Sequence, residues 1–163
     1  MRRGILLGLV LGLMVLGSAM VCSAQEAPVL EKVWAPAEVN FGKVLKIYVK
    51  ASDPQGDMRW LVVSGGRAGG THPTGAVPIR LKKSLGKDLN GYIYWDTSKA
   101  FIKDAPLKVE ILVEDWKGNE SETKSVTVKL VSKGAKAEKA PADFQEVEIG
   151  PIMIGELEKP KGK

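Results

Sequence analysis

The chain has 163 residues and a formal net charge of +5, with 26% charged residues and a single histidine. Its length fits one domain with short extensions, and one histidine excludes a zinc site built from several histidines. The lysines are spread along the chain rather than clustered, which predicts a solvated surface and no nucleic-acid partner.

The first 24 residues have the pattern of a cleaved secretory signal peptide. Two arginines follow Met1, an apolar run covers residues 5–21, and small residues end at Ala24. Cleavage there removes both arginines and Cys22, the only cysteine, so the formal charge falls from +5 to +3. The sequence thus predicts a secreted or periplasmic protein without disulfides. It reaches a membrane only if the N-terminus stays uncleaved or is lipidated.

Residues 29–131 show the alternation of apolar and polar residues that is typical of short β-strands, with no convincing amphipathic helix. Turn-forming residues separate the apolar runs at short intervals. This pattern predicts an all-β domain, an antiparallel β-sandwich of about seven strands. The predicted strands cover residues 29–36, 43–52, 58–63, 77–81, 91–95, 107–114 and 125–131.

Two acidic turns containing glycine follow the predicted second and sixth strands, at Asp53–Asp57 and Asp115–Asn119. With the residues before them, they resemble the B-strand end and the F–G turn of bacterial immunoglobulin-like modules, which are related to fibronectin type III and cadherin domains. The resemblance covers residues 29–131. It implies an immunoglobulin-like sandwich and suggests an extracytoplasmic binding or spacer role, but no activity.

In such a sandwich both acidic turns lie at the same end, which brings several oxygen ligands together. Calcium takes six to eight oxygen ligands, so a Ca²⁺ site is one interpretation of this end. The other interpretation is structural, because Asp and Asn stabilise turns by bonding their own backbone. The candidate metal ligands are Asp53, Asp57, Asp115 and Asn119, with Glu114 nearby.

Two other stretches are candidate binding surfaces. A glycine-rich segment over residues 64–75 contains Arg67 and His72 and matches no phosphate-binding motif, so we expect a mobile loop. The aromatic strand with Tyr92, Tyr94 and Trp95 could stack on a carbohydrate, although aromatic residues in a strand more often serve the core. No nucleophile motif or multi-histidine site is present, and we predict that the protein is not an enzyme.

Composition changes after Val131. Residues 132–143 are predicted to be a flexible linker, and residues 144–163 a C-terminal tail with a short apolar segment. That segment could add a strand to the edge of a sheet, either its own or that of a protein partner. Its candidate partner-binding residues are Val147, Ile149, Ile152 and Ile154.

Together these patterns predict a non-enzymatic, secreted or periplasmic interaction or accessory module of the cell envelope. A protein partner would bind through the C-terminal segment or a sheet edge. The alternative is a calcium- or carbohydrate-binding β-sandwich module. No cofactor is expected beyond that Ca²⁺.

Overall fold

A computed structural model describes residues 26–68, 75–99 and 106–153. Within these ranges the chain is all-β, with two single-turn 3₁₀ helices, Lys83–Leu85 and Thr97–Lys99. None of the helices in the described ranges is long and apolar enough to cross a membrane. The strands are β1 (Val29–Trp34), β2 (Glu38–Asn40), β3 (Val44–Ser52), β4 (Met58–Arg67), β5 (Val77–Arg80), β6 (Asp88–Asp96), β7 (Pro106–Asp115), β8 (Lys124–Val131) and β9 (Glu148–Pro151).

The strands form two sheets that pack face to face. One has the order β1-β3-β6-β9, and the other has the order β2-β8-β7-β4-β5. Most neighbours are antiparallel, but β2 pairs with β8, and β9 with β6, in parallel. The predicted all-β sandwich is thus confirmed, with the correction that the described ranges contain nine strands in mixed sheets rather than about seven in antiparallel ones. The sequence pattern missed β2, because a three-residue strand is too short to show alternation. It left open whether the apolar segment that forms β9 adds a strand to its own sheet or to that of a partner.

The core lies between the sheets and follows from the period-two alternation of the long strands. In β3, the side chains of Leu45, Ile47 and Val49 are fully buried. They face fully buried residues of β7 such as Ile111 and Val113 in the opposite sheet. Each such side chain contributes about 1.5–3 kcal/mol when it leaves water.

The glycine-rich stretch does not begin where the sequence suggested. β4 extends to Arg67, and Gly65 and Gly66 pair with Val109 and Lys108 of β7. Glycine lacks a side chain to show alternation, which is why the pattern ended early. Arg67 is exposed at the end of this strand, and His72 lies outside the described residues.

The segment after β8, where a linker over residues 132–143 and a tail over residues 144–163 are predicted, contacts the sandwich in its described part. Residues 132–147 contain no strand. Ala135 N donates to Asn40 Oδ1 in the five-stranded sheet, and Asp143 accepts hydrogen bonds from Lys32 and Asn90 in the four-stranded sheet. β9 then joins that sheet beside β6. Tyr92 N donates to Val147 O at 2.8 Å, and Ile152 N donates to Tyr94 O at 2.7 Å.

Candidate functional site

The two acidic turns meet at one end of the sandwich, as predicted from the sequence. Met58, which follows the first turn, pairs with Asp115 at the start of the second. Trp116 N also donates to Asp57 O at 3.2 Å, so the two turns are directly bonded. The β3–β4 and β7–β8 connections thus form one continuous rim.

The first turn is stabilised by the carboxylate of its own first residue. Asp53 is 1% exposed, and its Oδ1 and Oδ2 accept hydrogen bonds from Gln55 N at 3.1 Å and Asp57 N at 2.9 Å. Gly56 adopts φ +74°, a left-handed conformation that favours glycine. These contacts make Asp53 a structural residue of the turn.

The second turn repeats this arrangement. Asp115 is 1% exposed and accepts from Lys117 N at 2.7 Å, Asn119 N at 2.9 Å and Asn119 Nδ2 at 2.6 Å. Burial alone would raise the pKa of this carboxyl. Hydrogen bonds from Asn119 and from the Lys117 and Gly118 backbone outweigh burial and hold the pKa below its ordinary value. The charged carboxylate therefore stabilises the folded turn.

The structure thus brings the four candidate calcium ligands to one end but uses the two buried carboxylates within their own turns. Asp53 and Asp115 accept backbone N–H bonds, and Asn119 donates its side-chain amide to Asp115. No group of three or more histidine, cysteine, aspartate or glutamate side chains is placed to hold a metal ion within the described ranges. The geometry accounts for both motifs as turns.

A groove of about 610 Å³ lies beside these turns. Its walls come from the β3–β4 turn, the start of β4, the end of β5 with the connection that follows it, and the β7–β8 turn. Four lining side chains are cationic, whereas Asp57 is the one lining carboxylate among the described residues. The lining residues are Gly56, Asp57, Met58, Arg59, Arg80, Leu81, Lys82, Lys83, Gly86 and Trp116.

The guanidinium of Arg59 lies over the rings of two tryptophans, of which Trp116 lines the groove. Its guanidinium carbon is 4.1 Å from the centroid of the Trp116 ring and 5.0 Å from that of Trp60. Arginine over an aromatic face is attracted by the ring quadrupole and keeps a defined orientation. Trp116 is nevertheless 56% exposed, so more than half of this residue remains accessible to solvent.

Backbone hydrogen bonds fix the walls of the groove relative to one another. Met58 N donates to Gly86 O at 3.0 Å, and Leu81 N donates to Arg59 O at 2.9 Å. A Cβ on Gly86 would lie only 2.6 Å from Gly56 O, so glycine is required where the two connections meet. The groove is therefore preformed, as ligand sites usually are.

Sequence reasoning selected the turns but missed the groove residues. Trp116 was recognisable, because a large aromatic residue in an Asp-x-x-Gly turn has no core to enter. The cations could not be found this way, since Arg59 and the group from Arg80 to Lys83 come from separate segments of the chain. Only the pairing of β4 with β5 and β7 brings them together.

The predicted aromatic platform is largely covered. Trp95 is 5% exposed and belongs to the core. Tyr92 lies on the outer face, where Tyr48 packs at 5.6 Å between ring centroids, and Phe144 packs on Tyr48 at 5.7 Å. Tyr48 also donates a hydrogen bond to Glu146. The segment before β9 thus covers these rings, although a cavity of about 540 Å³ remains beneath it.

The candidate partner-binding residues of the tail have different positions. Ile149 and Ile152 are 8% and 5% exposed and belong to the hydrophobic core. Val147 is 42% exposed, and its carbonyl is bonded to β6. Ile154 lies outside the described residues. In this structure the apolar segment completes its own sheet.

Comparison with known proteins shows similarity of fold to two domains of known structure. No known family model matches the chain, and no curated protein matches it. It is similar to the PKD domain of an M14-like peptidase from a Thermoplasmatales archaeon, at 18% identity over 66% of this chain and 99% of that chain, with a TM-score of 0.42. It is also similar to the CARDB domain of a Pyrococcus furiosus protein in complex with di-metal ions, at 15% identity over 66% of this chain and 97% of that chain, with a TM-score of 0.36.

The order of the strands in the two sheets assigns the fold without reference to these similar structures. β1-β3-β6-β9 corresponds to the A-B-E-D sheet of an immunoglobulin constant-type domain, and β8-β7-β4 corresponds to its G-F-C strands. β9 occupies the place of strand D but comes from the end of the chain and runs parallel to its neighbour. The chain therefore has an immunoglobulin-like β-sandwich fold.

Proposed function

We propose that this protein is a non-enzymatic interaction module, secreted or periplasmic, that binds a protein partner of the cell envelope through the groove beside Trp116. The observation that carries the proposal is the 56% exposure of Trp116 directly over Arg59. Tryptophan and arginine are the residue types most enriched among the side chains that dominate binding energy at interfaces. Here they are adjacent and held by a rigid rim.

The groove has the composition of a recognition site, with an exposed tryptophan and several cationic side chains in its lining. Within the described part of the chain, its lining contains no serine, cysteine or histidine that could act as a nucleophile or base. The other exposed large apolar side chains, Val29, Val44, Val147 and Met153, are aliphatic and stand apart from it. Trp116 is therefore the strongest anchor on the described surface.

The localisation in this proposal rests on the sequence of residues 1–24. The charged start, the apolar run and the small residues at its end are the features of a secretory signal. Cleavage at Ala24 would leave a chain without cysteine, which suits an oxidising compartment because no free thiol remains. Detection of the mature N-terminus in the envelope fraction tests this part independently.

Site-specific photo-cross-linking tests the binding role. A photo-reactive amino acid at Lys83, on the rim of the groove, is expected to capture a defined partner in the native envelope. The same group at Lys129, exposed on β8, serves as the matched control. Trp116→Ala should abolish capture from position 83. Equal capture from both positions, or capture that persists in Trp116→Ala, would contradict the proposal.

A further inference from the structure

The groove beside Trp116 is also unusual in its charge. Its four cations come from three parts of the fold: Arg59 from β4, Arg80 from β5, and Lys82 and Lys83 from the connection after β5. None of the four forms an ion pair with a carboxylate of the described residues. By contrast, Lys32, Lys46, Lys50 and Lys108 on other surfaces each pair with an aspartate or glutamate at 2.6–3.2 Å. The lining of the groove therefore has four cationic side chains against one carboxylate, Asp57.

From this we infer that the groove recognises an acidic peptide segment of a partner protein, in which carboxylates flank an apolar side chain. The inference rests on the proposed binding role and names the chemistry of the partner. Carboxylates are the complementary groups for arginine and lysine, and arginine can bind them in a bidentate manner. Opposite charge across an interface also steers association and rejects basic partners.

The orientation of Arg59 supports this assignment. Its guanidinium is confined by Trp116 and Trp60, and its Nε is buried without a hydrogen-bond partner among the described residues. A cation whose rotamers are already restricted loses less conformational entropy when it binds. Arg59 is thus prepared for an anion, while the exposed Arg80, Lys82 and Lys83 provide a surrounding positive field.

The apolar part of the lining favours a peptide over a sugar. Met58 and Leu81 also line the groove but are only 3% and 7% exposed, so the large apolar surface that it offers is the ring of Trp116. A side chain such as phenylalanine or leucine can lie against that ring while neighbouring carboxylates reach the cations. A neutral glycan would leave the four charges unused.

Recognition by side chains is also favoured over addition of a strand. β5 is the edge strand of its sheet and borders the groove. Pro78, in the middle of β5, has no N–H to donate to an added strand. Affinity must then come from contacts with the charged and aromatic side chains.

Binding of short synthetic peptides to the full mature chain tests the inference. The probe carries glutamates on both sides of a phenylalanine, and its partner probe replaces every glutamate with glutamine. We expect the glutamate peptide to bind at least about tenfold more tightly, because several ion pairs contribute, each typically twofold to fivefold. The difference should shrink as salt rises, because the cations are exposed.

Two charge-reversal variants locate the binding. Lys82→Glu/Lys83→Glu should lower the affinity by about tenfold or more, since two attractive contacts become repulsive. Lys129→Glu/Lys133→Glu makes the same change in net charge on exposed residues away from the groove and should leave affinity nearly unchanged. All four lysines are exposed, so the variants should keep the melting temperature of the parent.

The outcomes separate the inference from the proposed function. Equal binding of the two peptides, or equal loss in both double variants, would overturn acidic-peptide recognition. So would tight binding of polygalacturonate without binding of the peptide, which would identify an anionic glycan instead. If Lys83 captures a partner whose binding ignores Lys82→Glu/Lys83→Glu, the proposed function stands and this inference fails. If Lys83 captures nothing while the peptide binds as expected, the preference of the groove for acidic peptides stands, but the proposed binding of an envelope protein fails.

Discussion

Gly91 and Val147 touch so closely that no side chain fits between them. A Cβ on Gly91 would overlap the carbonyl oxygen of Val147 and would lie 3.2 Å from Ile149 Cγ1. That same carbonyl accepts the Tyr92 N–H bond that attaches the C-terminal segment to β6. The missing side chain in β6 is therefore a condition for β9 to join the sheet.

Gly91→Val should detach β9 and destabilise the domain. Overpacking against a backbone atom typically costs about 1–3 kcal/mol, and the buried contacts of Ile149 are lost in addition if the segment leaves. Chemical denaturation measures the change in unfolding free energy, and hydrogen exchange at Tyr92 and Ile152 reports the loss of the two anchoring bonds.

Gly75→Val is the matched control, because Gly75 is exposed and no atom of the described residues lies within 4 Å of a Cβ at that position. It should leave both measurements unchanged. Slow exchange at Tyr92 in Gly91→Val would contradict the role assigned to this contact.

Ile149→Ala should destabilise the protein by about 2–5 kcal/mol, because it removes a buried aliphatic side chain and leaves a cavity. Met153→Ala, four residues later and 73% exposed, should change the unfolding free energy by less than about 0.5 kcal/mol. Thermal and urea unfolding of the two variants make the comparison. A small effect of Ile149→Ala would mean that the tail does not stabilise its own domain in solution.

The pH dependence of stability should reveal the carboxylate of Asp115. Its pKa in the folded protein lies below the ordinary value, so the unfolded chain binds the proton more readily. The contribution is therefore complete above about pH 4, the ordinary range of aspartate, and is lost as the pH falls through the folded-state pKa. Unfolding free energies measured across the acidic range should fall more steeply in the parent than in Asp115→Asn.

Asp115→Asn should also cost about 1.5–3 kcal/mol near neutral pH, since hydrogen bonds to a charged acceptor are lost. Its amide nitrogen would additionally face the N–H donors of Asn119. Lys117→Ala keeps the backbone N–H bond to Asp115 and serves as the control. Parallel acid profiles for the parent and Asp115→Asn would refute this assignment.

Calcium should not raise the melting temperature of the domain. The carboxylates of Asp53 and Asp115 already accept several N–H bonds each, and a metal would have to displace these bonds. Thermal unfolding with millimolar CaCl₂ and with EDTA checks this expectation. A shift of several degrees that disappears in Asp53→Asn would restore the calcium interpretation of these turns.

The sequence predicted what depends on local pattern. Seven of the nine strands follow from period-two alternation, and the two acidic turns were recognised from aspartate and glycine spacing. The meeting of these turns, which joins Trp116 to Asp57, followed from the resemblance to an immunoglobulin-like sandwich. Such features are encoded within a few neighbouring residues.

Features that depend on long-range contact could not be predicted. Nothing near Ile149 shows that β6 is its neighbour, because Gly91 is far away in sequence and its missing side chain matters only in the folded sheet. The groove could not be predicted for the same reason. Arg59 and Lys83 belong to segments without a recognisable motif, and only the pairing of strands places them side by side. Sandwich folds are rich in such non-local contacts.

The parallel pairing of β9 with β6 has a consequence for how the chain matures. A polypeptide that emerges N-terminus first completes β6 before β7, β8 and β9 appear, so the hydrogen-bonding groups along that edge of β6 remain unpaired until β9 has been made. During this interval the nascent domain resembles an unfinished sheet that could pair with another copy. Arrival of β9 ends that interval, and Pro151, which lacks an N–H, helps keep the new margin from recruiting a further strand.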